Sequence, residues 1–600
     1  MRSAAGQALA LVWRAASVIL LAYLASVLLA SAVPVAMAWL TKLILDGLVT
    51  GGALLPLAAG LAAAGLAGAL ALQAGQYLRA ELDRRAGLSA RAGLFAAVER
   101  WRGLARFEDP AMLDRLRLAE QSAAAPGRVV DALFGLGRGA VTLAGFVGSL
   151  LVISPAFTAV VIGSALPALL AELRLSRGRA RVQWEIGPAE RRELFYGHLL
   201  GSVDAAKEIR LFGLGGFLRG RMIAERRSVD AAKRALDRRE LAAQSALAAL
   251  STLTAGAGLV WAVGSGMSVG DVSMFVAAVA GIQGAIEGLV ASTGQAHHQL
   301  LMFGHYAAVL RAEPDLPAPE AGGPPPLRRG IELRDVWFRY SEDHPWVLRG
   351  VSLFVPYGRS VALVGRNGAG KSTLVKLLCR FYDPQRGAIL WDGVDLRDLP
   401  AEELRARIGA VFQDFMAYDF SAADNIAVGD LAVLGRTAPV EEAARRAGVH
   451  DVLARLPRGY DTPLTRMFFG ESEDGEHETG VPLSGVPLSG GQWQRVALAR
   501  AFLRGDRDLM ILDEPSAGLD AEAEYEVHSR LREIRAGRTS VLISHRLGSI
   551  RAADVIAVLA EGRVGELGRH DELLARGGLY ASLWAKQSSG YIDAEGQRIP

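Results

Sequence analysis

The stretch SVALVGRNGAGKSTLVKLLCRFY, residues 360–382, decides how the chain is read. A short apolar run with strand character is followed by a glycine-rich loop, and the loop by an apolar pattern at helical spacing. That order, strand, G-x-x-x-x-G-K-[ST], helix, is a P-loop. Gly365, Asn367, Gly368, Ala369 and Gly370 let backbone N–H groups wrap a polyphosphate, and Lys371 can reach its β- and γ-phosphates. Ser372 and Thr373 open the helix, whose positive end favours the anion, and Ser372 is a candidate Mg2+ ligand.

Downstream, the run DLMILDEP, residues 508–515, has the unbroken apolar character of a buried strand and ends in two carboxylates. Asp513 suits Mg2+, and Glu514 is placed to polarise an attacking water, because phosphoryl transfer needs positioning and charge stabilisation by a few groups. Together these runs predict an α/β P-loop ATPase domain over 329–588, with a short tail at 589–600.

Upstream the composition changes. Before about residue 310 the chain is dominated by Ala, Leu, Gly and Val. Six stretches near 15–40, 54–78, 129–153, 156–173, 243–264 and 271–295 meet or approach the ~20 apolar residues that cross a bilayer. The fourth is the weakest, with Pro167 inside it and Glu172 near its end. Three joints (DGLVTGGALLP, ISPAFT and GSGMSVGD) are short and lack Lys and Arg. The other two are long and basic, with Arg84, Arg85, Arg100, Arg102 and Arg106 in the first and Arg174, Arg177, Arg179, Arg181, Arg226 and Arg227 in the second. The positive-inside rule makes the long joints, both termini and the ATPase domain cytoplasmic. No proline interrupts the chain from Tyr77 to Trp101, so one helix over about 56–100 is expected, roughly 65 Å long and projecting past the membrane. The polytopic α-helical membrane domain is expected over 1–312, and a Pro/Gly-rich linker over 313–328.

The octapeptide LSGGQWQR, Leu488–Arg495, lies shortly before DLMILDEP, and with it the chain resembles the ABC transporter family, in the class where one polypeptide carries six membrane helices and one ATPase domain. The resemblance implies half of a dimeric machine, with ATP sandwiched head to tail between two ATPase domains. Ser489, Gly490, Gly491 and Gln492 would then act on nucleotide held by a second half-transporter. It also implies that Gln413 in VFQDF senses the γ-phosphate and Mg2+, that His545 in LISHR contacts the γ-phosphate, and that Asp520 in SAGLD lies at the dimer contact. Tyr340 in WFRY would stack on adenine, Trp337 and Phe338 being alternatives as strand-core residues. Segments around Phe107–Leu116 and Lys207–Leu214 resemble the short helices that dock on the ATPase domain. With every ATP-site element intact, a homodimer is favoured over a heterodimer.

The net charge of +3, without a dense basic stripe, gives no reason for a nucleic-acid partner. Cys379, the single cysteine, is expected as a buried core thiol, and His297, His298 and His305 as solvated positions. Glu287, Gln283, Gln73 and Gln76 fall within spans, where Glu287 is a candidate substrate contact or a partner of neighbouring helices. The acidic stretch around 470–480 is expected as a surface insertion. The functional expectation is ATP-driven export of a hydrophobic or amphipathic compound, a drug, lipid or peptide. The alternatives are import of such a compound, or a membrane ATPase that remodels a partner without transport.

Overall fold

The computed structural model describes residues 2–588 apart from 125, 265–266, 318–321, 466–484, 506, 517–520 and 545–549. Asp520, His545 and the acidic stretch around 470–480 therefore lie outside the described residues. The chain forms two compact units: Met1–Glu99 with Ala111–Ala312, and Arg100–Pro110 with Glu313–Pro600.

The first unit is helical, and six of its helices are long: α1 (Arg2–Thr50), α2 (Leu54–Glu99), α5 (Gly127–Ile153), α6 (Pro155–Gly201), α8 (Gly215–Gly264) and α9 (Val269–Arg311). The short α3 (Ala105–Glu108), α4 (Pro110–Ala123) and α7 (Val203–Leu211) lie in the joints. Among the described residues, α1, α2, α5 and α9 are long and apolar enough to cross a membrane. The continuous helix expected over 56–100 is α2, whose 46 residues span roughly 69 Å.

Close packing in this unit depends on small residues. A Cβ at Gly281 of α9 would meet the Phe146 ring of α5 at 2.2 Å, so glycine is what lets the two helices approach. Trp39 Nε1 on α1 donates to Ser149 Oγ on α5 at 2.8 Å. At the far end of α1, Lys42 Nζ pairs with Asp271 at 2.6 Å and with Asp46 at 2.9 Å, while the Gly270 amide donates to Asp46. The basic residues of the second joint have partners too. Arg179 pairs with Glu240, Arg192 with Glu225 and Lys233 with Glu190, lacing α6 to α8 beyond their apolar stretches.

The second unit carries two sheets. A four-stranded antiparallel sheet runs β2 (Leu348–Pro356), β1 (Gly330–Phe338), β4 (Arg386–Trp391), β5 (Val394–Asp395). A six-stranded sheet runs β10 (Arg563–Gly568), β9 (Val555–Ala560), β3 (Ser360–Gly365), β8 (Thr539–Ile543), β7 (Leu509–Asp513), β6 (Ile408–Val411), parallel except for β10. Its central strands β3, β7 and β8 are buried along their whole length, which is why they read as continuous apolar runs. Helix α10 (Lys371–Leu378) follows β3, and the P-loop lies between them, at the carboxyl edge of the sheet where open α/β folds bind ligands. Cys379 ends α10 inside the core, and burial pushes its thiol up to about 12.

Candidate active site and membrane cavity

The P-loop turns through left-handed backbone at Gly370 (φ 102°), where a Cβ would also meet Leu348 at 2.6 Å. This turn starts α10, so Lys371 is its first residue. Lys371 is buried, and its Nζ donates to the carbonyls of Gly365 (2.9 Å) and Arg366 (3.1 Å). Burial pulls the ammonium below the usual lysine range, while Glu514 and Asp513 act in the opposite direction.

Asp513 ends β7, one strand beyond β8 from the P-loop strand, and only 5% of it is exposed. Burial, then the charge of Glu514, pushes its carboxyl up to about 6, and the Ser372 hydroxyl bonded to it and Lys371 pull the other way. The next residue, Glu514, has left-handed backbone (φ 48°), an uncommon state for a side chain of its size. Its amide donates to the Ile543 carbonyl of β8, so the peptide is still held by the sheet as the carboxylate turns away. Gln413, just beyond β6, donates through Nε2 to Glu514 Oε2 at 3.2 Å. Lys371, Ser372, Asp513, Glu514 and Gln413, spread over 143 positions of sequence, thus meet at one edge of the sheet.

Tyr340 reaches the same edge. Its hydroxyl lies 3.0 Å from Thr373 Oγ1, and its ring packs edge-on against Phe338 and Tyr382. Phe338 is buried in the core, and Trp337 Nε1 donates to Asp335 in the strand. Of the three aromatics, Tyr340 is the one joined to the P-loop residues by a hydrogen bond.

The signature residues are organised separately. Ser489 caps the helix Gly490–Leu503 in a capping box: its hydroxyl accepts from the Gln492 amide, and Gln492 Oε1 accepts from the Ser489 amide. Ser489 and Gly490 are exposed, and a Cβ at Gly490 would meet nothing within 4 Å. Further along this helix Gln494, buried and unremarked in the sequence, donates to the Pro515 carbonyl at 3.0 Å and to that of Glu514 at 3.5 Å. It fixes the loop that carries Glu514.

Residues 100–110, which chain order sets between α2 and α4, fold with the ATPase strands. The Leu104 amide donates to Phe381 O, and the Gly103 amide to Asp315. Glu108 accepts from Lys376 Nζ at 2.7 Å and from the Tyr382 hydroxyl at 2.5 Å. Lys376 stands 5.2 Å from the Tyr340 ring centre. The docking segment expected over 107–116 is thus centred earlier, on Trp101–Glu108, where Trp101 is buried and packs edge-on against Phe107.

Within the helical unit, α1, α5 and α9 line an open cavity of about 620 Å³ walled by Pro34, Met37, Phe146, Gly281 and Ala285, with Arg138 on its lining. A second cavity, of about 270 Å³, adds Tyr23, Gln76, Arg79, Asp131 and Gln295. The two share Ala30, Gly135 and Arg138. Glu287 and Arg138 are both exposed; Arg138 lines both cavities and Glu287 neither. The apolar count across 129–153 hid both Asp131 and Arg138, though an ionisable residue inside a span is itself a signal.

Residues 348–517 match the ABC transporter family. The chain is 40% identical over 280 residues to an ATP-dependent lipid A-core flippase of Saccharophagus degradans, a match covering 47% of this chain and 44% of that protein. It is 38% identical over 331 residues to a mitochondrial potassium channel ATP-binding subunit of Xenopus tropicalis, covering 55% of this chain and 45% of that one. The matched region thus spans less than half the length of these curated relatives. A solved structure of a bacterial Atm1-family ABC exporter with ATP bound superposes with a TM-score of 0.78 at 25% identity, covering 95% of this chain and 98% of that one.

Proposed function

We propose that the chain, in which an ABC transporter-type ATP-binding region is joined to a helical domain with apolar helices, is one half of a transporter that couples ATP hydrolysis to export of a hydrophobic or amphipathic compound. The observation that carries this reading is the convergence of Lys371, Asp513, Glu514 and Gln413 at one sheet edge, in a chain whose apolar helices line a largely apolar open cavity.

ATP lies with its phosphates in the loop Gly365–Thr373, and its adenine against Tyr340. Lys371 leaves the Gly365 and Arg366 carbonyls for the phosphate oxygens, exchanging neutral acceptors for charged ones. Ser372, Asp513 and Gln413 fit a Mg2+ ion, because Asp513 is a buried carboxyl beside a second carboxylate and its ionised form gains from a cation. When bound, the ion neutralises charge on the phosphate oxygens. Glu514 orients the water and accepts its proton at the carboxylate, while Gln413 holds that carboxylate through Oε2. His545 adds a γ-phosphate contact.

A second half-transporter, in a homodimer, supplies Ser489–Gln492 to each site, which accounts for Ser489 and Gly490 standing exposed at the start of a helix capped by Ser489 and Gln492. Both termini and the ATPase domain are cytoplasmic, as the basic joints require. Closure of the paired ATPase domains on ATP then pulls on the docked joints and alternates access to the cavity. Transport into sealed inside-out vesicles tests the reading. ATP-dependent uptake of an amphipathic tracer supports it. Vesicles that hydrolyse ATP without moving or responding to any amphiphile turn it toward a regulatory ATPase.

A further inference from the structure

We propose that the membrane cavity selects an amphipathic anion, its acidic group held by Arg138 and its apolar body by the wall around Met37 and Phe146. The proposal rests on reading the chain as a transporter half and names the substrate class of that half. Arg138 lies eleven residues after Gly127, the start of α5, and so about 17 Å along the helix, well inside the apolar span. A guanidinium stays charged at that depth and needs an anion, a carbonyl or water.

The nearest acid on the same helix is already engaged. Asp131, two turns before Arg138, pairs with Arg79 at 3.0 Å and accepts from the Tyr23 hydroxyl at 2.5 Å. Among the described residues no carboxylate lies within ion-pair distance of Arg138, and Glu287 faces neither cavity. Of the charged residues on the two linings, Arg79 is paired with Asp131 and Arg138 is left over, one positive charge at the place where the cavities meet. On one side of Arg138 lies the larger, mostly apolar chamber, and on the other the smaller one with Gln76, Gln295 and Arg79. A ligand with an acidic head and an apolar tail matches both the charge and the order of these surroundings. A neutral compound leaves the arginine unmatched, and a cation is repelled.

The size agrees as well, since about 620 Å³ falls within the range that holds a drug-sized molecule or part of an acyl chain. The acidic group can come from a membrane lipid or from a soluble conjugate, and both present the same chemistry to Arg138.

The test measures ATP turnover by the full chain in nanodiscs of zwitterionic lipid. Three probes share one dodecyl tail: dodecyl phosphate, dodecylphosphocholine and dodecyltrimethylammonium. Dodecyl phosphate is expected to stimulate turnover at about tenfold lower concentration than the other two, the effect of one charge-assisted contact. Arg138→Gln is expected to erase that difference, and Arg138→Lys to retain most of it, which separates loss of charge from loss of fold. Discs doped with an anionic phospholipid, and a soluble aryl sulfonate added to undoped discs, assign the source to lipid or solute. Equal stimulation by all three head groups, or an undiminished phosphate preference in Arg138→Gln, overturns the proposal. Turnover indifferent to every amphiphile overturns the transporter reading itself.

Discussion

Replacing Asp513 by Asn should stabilise the nucleotide-free protein and abolish its Mg2+-dependent ATP hydrolysis. Burial and the neighbouring Glu514 raise the Asp513 carboxyl from 3.8 to about 6. Each unit of such a shift corresponds to about 1.4 kcal/mol, so ionised Asp513 costs the folded state about 3 kcal/mol at neutral pH. Asparagine keeps the size and can still accept from Ser372, but it removes a carboxylate that favours charged Lys371, which trims the gain to about 2 kcal/mol. The sign with pH is fixed. The folded protein binds a proton here more tightly than the unfolded chain, so this contribution to stability is fully present below about 4 and is lost as the pH rises through about 6. Thermal unfolding of the full chain in nanodiscs, with chelator and no nucleotide, reads this directly. The melting difference between Asp513→Asn and the native chain should be near zero at the acid end, grow through the window between those values, and level off above it. A variant that melts lower than the native chain at pH 8, or a difference that does not change with pH, refutes the account of a strained carboxylate waiting for a cation.

Three further substitutions probe the rest of the machinery. Glu514→Gln should bind ATP normally and hydrolyse it about a hundredfold or more slower, the usual weight of a general base; near-native turnover removes Glu514 from that role. Lys371→Ala should weaken ATP binding about tenfold or more in a fluorescent-nucleotide titration, and unchanged affinity counts against the phosphate cradle. Glu108→Ala removes the acceptor for both Lys376 and Tyr382. The pair is partly exposed, so the loss should be about 1–2 kcal/mol, seen as faster amide exchange over 100–110, and unaltered exchange there means Glu108 does not hold the joint.

The chemistry of the ATPase site was legible where local spacing forces geometry. A loop between strand and helix can cradle phosphate only with glycines such as Gly370 at the turn, and strands buried on both faces must read as SVALV or LMILD. The long helix α2 was legible for the same reason, since nothing between residues 54 and 99 breaks it. Pairings across the chain were not. Gln494 carries no mark that it will hold the Glu514 loop, and Glu108 none that it will meet Lys376 and Tyr382, because each contact exists only once separate elements have packed. The membrane cavity was the least legible part. Apolar counting picked out α1, α2, α5 and α9, which are apolar enough to cross a membrane, but said nothing of which face of α5 would line a cavity, so Arg138 passed as noise while Glu287 drew attention.

The joint at 100–110 shows why such a contact matters to coupling. Chain continuity attaches it to α2, which ends at Glu99, and to α4, which begins at Pro110, while its hydrogen bonds belong to the ATPase unit. Three of its partners, Lys376, Phe381 and Tyr382, follow directly on the P-loop helix or lie within it, and Tyr382 also packs against Tyr340. A shift of that helix and of the aromatic beside it, when nucleotide arrives, therefore reaches Glu108 through side chains in direct contact. Helix α2 is unbroken for 46 residues, so a displacement of its end at Glu99 tilts or translates the helix as one body. Arg79, on that same helix, pairs with Asp131 of α5 beside Arg138, so displacement of α2 bears on the charge balance of the cavity. Within the one unit the contacts run from Tyr340 through Tyr382 to Glu108, within the other from Arg79 to the cavity lining, and the chain itself joins the two at Glu99 and Arg100.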